Sequence, residues 1–173
     1  MTVDQFKQKL EKSEKFSDVL NYLTCTFFIG FGFWMIGDLA INKFPYPETD
    51  YEKYLILLFP LAFLAIGIYG FWRIPKNYQI GCVYSSKTIE EKWTIVHEYL
   101  SHLNVKSKTT DDNQIECIYR NKYLNSLVVR IHLDDDKILY NVQSLDTGDK
   151  GIIDLGLSKR ATKRLKKFLE NRL

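Results

Sequence analysis

The three histidines of the chain are its best candidates for acid–base chemistry or metal binding, and their spacing favours neither. His97 and His102 are five residues apart in a predicted helix. They therefore lie on different sides of that helix, which disfavours a shared metal ion. Arg130 and His132 alternate on a predicted strand and share one face. The pair predicts either a polar outer sheet face or a small site for an anion or an RNA phosphate.

Two acidic segments have partial similarity to known sites. Residues 134–136 are three consecutive aspartates, but the glycine and the spaced oxygen ligands of a calcium loop do not follow, so we predict a hairpin turn. Asp146, Thr147 and Gly148 form the tripeptide of aspartic proteases, whose chemistry needs two carboxylates sharing one proton. Residues 147–151 lack the spacing of a phosphate-binding P-loop. We therefore predict no enzyme activity, no metal and no cofactor.

The last predicted helix, beginning near Leu157, is densely basic on one side and apolar on the other. Such a helix can bind anionic lipid, an RNA backbone or an acidic protein, and it can also be an ordinary solvated surface. We expect no DNA partner. The candidate binding residues on the basic side are Lys159, Arg160, Lys163, Arg164, Lys166 and Lys167.

Two apolar runs, residues 19–41 and 54–72, precede the polar part of the chain. Each is long enough to cross a hydrocarbon core of about 30 Å, which takes roughly 20 helical residues. Lysines and arginines are more frequent outside the two runs than in the loop between them. The positive-inside rule therefore predicts a multi-pass protein of the bacterial inner membrane with both termini in the cytoplasm. Three scattered cysteines fit a reducing compartment.

The first apolar run has two different sides on a helical wheel. One side is polar and could line an aqueous path, and the other is small and could let helix backbones approach closely. The alternative is ordinary polarity at the ends of a span combined with packing inside a hairpin. The candidate pore-lining residues are Asn21, Thr24, Cys25, Gly32 and Asp38, with Asn42 on the same arc; the candidate helix-packing residues are Thr26, Gly30 and Gly37.

These elements predict an α+β membrane protein. Residues 1–17 form an amphipathic helix that begins at a Thr2–Gln5 capping box. This helix either lies in the membrane interface, with Phe6 and Leu10 in the acyl boundary, or extends the first span. Residues 18–75 are the transmembrane hairpin, and residues 76–85 are a linker. Residues 86–173 form a cytoplasmic domain of one helix, three or four antiparallel strands and a final helix. The first helix begins at a Thr88–Glu91 capping box, and a turn at 123–126 precedes a strand in which apolar residues alternate from 127 to 133.

This arrangement resembles the small membrane accessory proteins of type VI-B CRISPR antiviral systems, in architecture across the chain and without a shared motif. The resemblance implies an oligomer whose hairpins surround a pore, whose cytoplasmic domains form a ring and which lowers the membrane potential during infection. Some of these proteins are linked to HEPN ribonucleases, whose signature is an arginine four to six residues from a histidine. Neither Arg120 nor Arg130 has that spacing to His132.

We therefore expect an oligomeric membrane pore or membrane-perturbing accessory effector in bacterial antiviral defence. Its partners would be membrane lipid, further copies of the chain, and an effector protein or RNA. The alternative is a membrane-tethered module that binds protein, anionic lipid or RNA and whose hairpin is only an anchor. A third interpretation is a ribonuclease with an unfamiliar site at His132.

Overall fold

The computed structural model describes residues 1–41, 50–103, 105–111, 113–120, 126–146, 149–150 and 156–173. They form two compact units, Met1–Glu14 with Asn77–Leu173, and Lys15–Lys76. Asn42, the predicted turn at 123–126 and the segment 146–151 with its Asp-Thr-Gly tripeptide lie wholly or partly outside the described residues.

Two long helices form the Lys15–Lys76 unit. Helix α1 runs from Val3 to Ile41, so its first turns belong to the other unit, and α2 runs from Asp50 to Arg73. Both are long and apolar enough to cross a membrane, as the sequence predicts. Large apolar side chains cover their outer surfaces, including Phe27, Trp34, Leu58 and Ile68. Pro60 lies inside α2.

The second unit is built on an antiparallel sheet, which confirms the α+β prediction. The strands are β1 (Gly81–Tyr84), β2 (Val105–Asp111), β3 (Gln114–Arg120), β4 (Ser126–Leu133) and β5 (Lys137–Asp146). Their order is β1-β5-β4-β3-β2, and the two-residue strand β6 (Asp149–Lys150) also pairs with β5. The described sheet therefore has two strands more than the largest number expected, the short strand β6 included.

The core lies between one sheet face and two helices, α3 (Ile89–Ser101) and α4 (Leu157–Arg172). Alternate residues of β4 face it, as their period of two predicts. The predicted Thr88–Glu91 capping box starts α3, since each residue's side chain accepts a hydrogen bond from the other's backbone. The buried core side chains include Val96, Leu100, Leu127, Val129, Ile131, Leu165 and Leu169.

The other sheet face is covered by the first turns of α1, which the sequence did not indicate. Phe6 and Leu10 are buried in a small cluster with Tyr78 and Leu139. The predicted Thr2–Gln5 capping box is present. The prediction that Phe6 and Leu10 enter the acyl boundary is wrong because Leu139 and Tyr78 already give them an apolar partner within the domain. The helix is instead a continuous extension into the first apolar run.

The predicted linker at 76–85 is ordered structure. A 3-10 helix (Ile74–Tyr78) is followed by β1, which pairs with β5. Gly81 allows this pairing, since a Cβ there would lie 2.1 Å from the Tyr140 ring. The Asn77 carbonyl accepts hydrogen bonds from Asn141 at 2.8 Å and Gln143 at 3.0 Å. The domain therefore begins at residue 77 rather than 86.

Candidate functional site

The basic side of α4 is a well-formed exposed surface. The helix begins after Gly156, whose φ of 76° lies in the left-handed region that glycine adopts without strain. Leu165 and Leu169 are fully buried beneath it. Burying this apolar stripe fixes the rotation of the helix about its own axis. The six predicted binding residues, Lys159, Arg160, Lys163, Arg164, Lys166 and Lys167, are all exposed as a result.

Few acidic groups neutralise this surface. Lys166 pairs with Glu170 at 3.5 Å, and Arg172, beyond the predicted set, pairs with Glu98 of α3 at 2.5 Å. The Arg160 Nε lies 3.4 Å from the Gly156 carbonyl oxygen. Lys159, Lys163, Arg164 and Lys167 have no carboxylate within ion-pair distance among the described residues. The surface therefore keeps most of its positive charge.

Arg130 is at the centre of an ion-pair cluster instead of an open anion site. Its guanidinium donates to the Glu116 carboxylate at 2.6 Å, to the Gln143 side-chain oxygen at 2.9 Å and to Glu14. Its side chain is only 13% exposed. Because its donors already bind groups of the protein, an RNA phosphate would have to displace a carboxylate. The sequence predicted either a polar outer sheet face or an anion site for Arg130 and His132. The polar face is present, but it is covered by the protein and not solvated.

His132 is buried beside the first turns of α1. Its ring stacks on Phe6 with 6.1 Å between the ring centroids. Burial lowers the pKa of His132, the N-terminal ammonium lowers it further, and Asp134 opposes both effects. The Nδ1 atom has no hydrogen-bond partner within the described structure. His97 and His102 are both exposed on α3. The structure therefore does not bring the three histidines together.

A groove of about 260 Å³ lies between α1 and the sheet, beside Arg130. Phe6, Leu10 and Lys9 line one side. Lys9 donates to Gln114 at 2.6 Å across it. Two of its lining groups, Arg130 and Glu116, already pair with each other.

The acidic turn at 134–136 is neutralised by the protein's own cations. Lys137 pairs with Asp136 at 2.9 Å and with Asp134 at 3.5 Å, and the N-terminal ammonium also contacts Asp134. These ammonium groups lower the pKa of Asp134. Among the described residues no group of three His, Cys, Asp or Glu side chains could hold a metal ion.

Sequence reasoning missed the buried Lys92 beneath this turn. Lys92 is fully buried, and its Nζ donates to the carbonyl oxygens of Asp134 and Asp135 at 2.8 and 2.7 Å. The only signal in the sequence is its position inside the apolar stripe of α3, between Ile89 and Val96.

Three of the predicted pore-lining residues lie in the seam between α1 and α2. Cys25 is fully buried and Asn21 is 8% exposed. A Cβ at Gly32 would lie 2.8 Å from the Leu64 side chain, so Gly32 contacts α2 directly. At Gly67, a Cβ would lie 2.8 Å from the Cys25 carbonyl oxygen. The part of the predicted pore-lining arc that contains Cys25 and Gly32 therefore packs against α2.

The other predicted residues of α1 lie elsewhere. Thr24 and Thr26 are exposed and donate to the Leu20 and Tyr22 carbonyls of their own helix. Asp38 is half-buried and has a polar partner. The two small residues predicted to pack helices, Gly30 and Gly37, have no atom within 4 Å of an added Cβ. Gly30 and Gly37 therefore do not contact α2, whose Gly67 and Leu64 meet the opposite arc. The role of Thr26, Gly30 and Gly37 in packing helices stays a prediction for contacts outside this hairpin.

The chain matches no protein-family model, and no curated protein is significantly similar to it in sequence.

Proposed function

We propose that the chain is a membrane-anchored binding module, in which α1 and α2 hold an α+β domain at the cytoplasmic surface of a bilayer. The single observation that carries the proposal is the apolar outer surface of both helices. In the most apolar window of each, 17% of the residues are buried within the protein. A core helix of a soluble protein is mostly buried, so these exposed apolar side chains need another apolar environment.

The end of α2 has the features of a membrane interface. Trp72 is 58% exposed and lies one turn before Lys76, whose Nζ is 2.9 Å from the Trp72 ring centroid. Tryptophan and lysine together suit the boundary between acyl chains and water. Arg73 adds a second cation at this end. The cations here and in the first turns of α1 support a cytoplasmic position for the domain.

The seam of the hairpin supports an anchor better than a lumen. A pore-lining side chain must face water in the oligomer, whereas Asn21 and Cys25 are buried and Gly32 contacts Leu64 of α2 in the same chain. The Asn21 side-chain nitrogen has no hydrogen-bond partner among the described residues. A leucine at this position would therefore be compatible with a tight apolar anchor.

Two measurements, carbonate extraction and vesicle permeabilisation, test the proposal on the parent protein and on one double variant. The double variant Asn21→Leu with Thr24→Leu should remain in the membrane after carbonate extraction, and the parent protein should not permeabilise vesicles to small ions. Release of the parent protein by carbonate would refute the anchor. Ion flux that the parent shows and the double variant loses would refute the module and support a pore.

An oligomeric pore in antiviral defence is the second candidate, favoured by the open face around Gly30. Gly30 and Gly37 have space for a neighbouring backbone, and Thr26 is exposed beside them. Small residues at spacings near one or two turns let helices of separate copies approach closely. The mass of the detergent-solubilised particle tests it. A ring of several copies would support the pore, and a monomer would refute it because one hairpin cannot enclose a channel.

A further inference from the structure

We infer that the basic side of α4 binds the headgroup surface of an anionic bilayer, and this inference rests on the proposed membrane anchor. The starting observation is the concentration of charge. At 100° per residue, the six cations Lys159, Arg160, Lys163, Arg164, Lys166 and Lys167 fall within an arc of roughly 160°. They are all exposed, while the opposite arc is buried against the domain core.

The surface is shaped for an extended anionic plane and not for a single anion. Lys159 and Lys167 are eight residues apart, a rise of roughly 12 Å along a helix of 1.5 Å per residue. In the part of the chain that the structure describes, the buried polar side-chain atoms without a partner belong to Asn21, His132, Asn141 and Ser144, none of them on α4. A convex helix face with spread lysines gives many weak contacts, which is how polybasic segments bind acidic headgroups.

The side chains on this face do not suit single-stranded RNA. Base recognition on such surfaces needs aromatic side chains on which bases stack. Phe168 is the one aromatic residue of α4, and it is half-buried with its ring centroid 5.2 Å from that of Tyr99. Arg172, which lies over the Phe168 ring, pairs with Glu98. Phosphate contacts alone would remain for RNA, whereas an anchored domain stays close to the headgroups of its own membrane.

Chain connectivity supplies the second argument. Glu14 and Lys15 are consecutive residues of one helix, and Lys76 and Asn77 are consecutive within the 3-10 helix. No flexible linker therefore separates the domain from either apolar helix. An anchored domain meets headgroups at a high effective concentration, so weak contacts suffice. Each lysine or arginine near an anionic leaflet contributes about fivefold to the binding constant.

The experiment measures lysine reactivity in the full chain inserted into lipid nanodiscs. One sample contains phosphatidylcholine alone, and the other adds phosphatidylglycerol. Acetylation rates at Lys159, Lys163, Lys166 and Lys167 are followed by mass spectrometry, with the exposed Lys108 of β2 as the internal control. We expect the α4 lysines to react about threefold or more slowly in anionic discs, and to regain their rates in high salt, because screening weakens headgroup contacts. The rate at Lys108 should change little.

A charge reversal provides the matched control. Lys163→Glu with Lys167→Glu should remove the protection at Lys159 and Lys166, whereas Lys108→Glu should leave it intact. Equal α4 rates in the two kinds of disc would overturn the inference while leaving the anchor standing. Protection by added RNA in neutral discs, without protection by anionic lipid, would also overturn it. Failure of the protein to stay in either disc would refute the anchor instead; α4 protection on anionic vesicles would then still support the lipid contact.

Discussion

The ammonium nitrogen of Lys92 on α3 lies 2.8 Å from the carbonyl oxygen of Asp134, in the turn between β4 and β5. A second bond at 2.7 Å joins it to the Asp135 carbonyl. A fully buried lysine is costly unless its donors are satisfied. Here two carbonyls of a tight turn satisfy it, so α3 and the turn depend on each other.

Replacing Lys92 by methionine should therefore destabilise the domain. Lys92→Met keeps most of the side-chain volume but leaves two partly buried carbonyl oxygens of the turn without this donor, at a cost of about 2 to 4 kcal/mol. The change is measured as a lower urea midpoint of the circular-dichroism transition. The control is Lys167→Met, an exposed lysine that pairs with no carboxylate of the described residues, which should change stability by less than about 0.5 kcal/mol. Equal shifts for both variants would contradict the role of Lys92.

Removing the Phe6 ring should loosen the first turns of α1 from the sheet. Phe6 is 3% exposed in the cluster with Tyr78 and Leu139, and Cys82 packs against that cluster. Phe6→Ala should cost about 3 to 5 kcal/mol of local stability and should raise the alkylation rate of the Cys82 thiol.

The chain offers two controls for this measurement. Cys117 is buried in the separate core beneath α3 and α4, so its alkylation should not change. Phe16 on the same helix is 77% exposed, so Phe16→Ala should leave Cys82 protected. An unchanged Cys82 rate in Phe6→Ala would show that the first turns are held by other contacts.

Acid should weaken the domain through His132. Its pKa is lowered from 6.5 chiefly by burial, so the folded state favours the neutral ring. Below pH 6.5 the unfolded chain binds a proton that the folded chain resists, and stability falls as pH drops from 6.5 toward the lowered pKa. Asp134 does not contribute in this pH range, since its pKa is depressed below 3.8.

The measurement is the urea midpoint between pH 7.5 and 5.5. His132→Gln should flatten this dependence. His97 also makes the domain less stable at acid pH, because burial and Lys108 lower its pKa too. The variant His97→Gln therefore measures how much of the pH dependence comes from His97. A slope that survives both substitutions would place the acid sensitivity in other groups.

The hairpin should tolerate a methyl group at one glycine and not at another. An added Cβ at Gly67 would meet an Ile29 side-chain carbon at 2.6 Å and the Cys25 carbonyl oxygen at 2.8 Å. Gly67→Ala should therefore separate the helices and cost about 1 to 3 kcal/mol. Gly30→Ala has free space and is the matched control.

The readout is the thermal midpoint of the detergent-solubilised protein. A lower midpoint for Gly30→Ala than for Gly67→Ala would mean that the open face of α1 is occupied by another helix in solution. That outcome would favour the oligomer.

Local patterns predicted the elements whose partners are close in sequence. The alternation of Leu127, Val129, Ile131 and Leu133 predicted β4, and the Thr88–Glu91 capping box predicted the start of α3. Both signals arise within one element or hairpin, where side-chain period and backbone hydrogen bonding determine the structure. The inner side of α4 was predicted for the same reason.

The missed features depend on partners far along the chain. β1 has only four residues, and its pairing of Gly81 with Tyr140 joins positions that no local pattern connects. Asn141 and Gln143 are expected on a solvated face, yet both donate to the Asn77 carbonyl. Phe6 and Leu10 are typical of a membrane-surface helix, and only the presence of Leu139 on the opposite face explains their burial. For α1, the helical wheel separated two sides but did not identify which residues meet α2.

The irregular outer strand of the sheet determines how copies of this domain can meet. β2 is at the end of the strand order, and its pairing with β3 shifts register between Val105 and Ser107. Lys108 and Asp111 place charges along the same strand, and both are exposed. A bulge and charges on an outer strand discourage a second chain from extending the sheet. β2 therefore protects this side of the sheet against edge-to-edge aggregation.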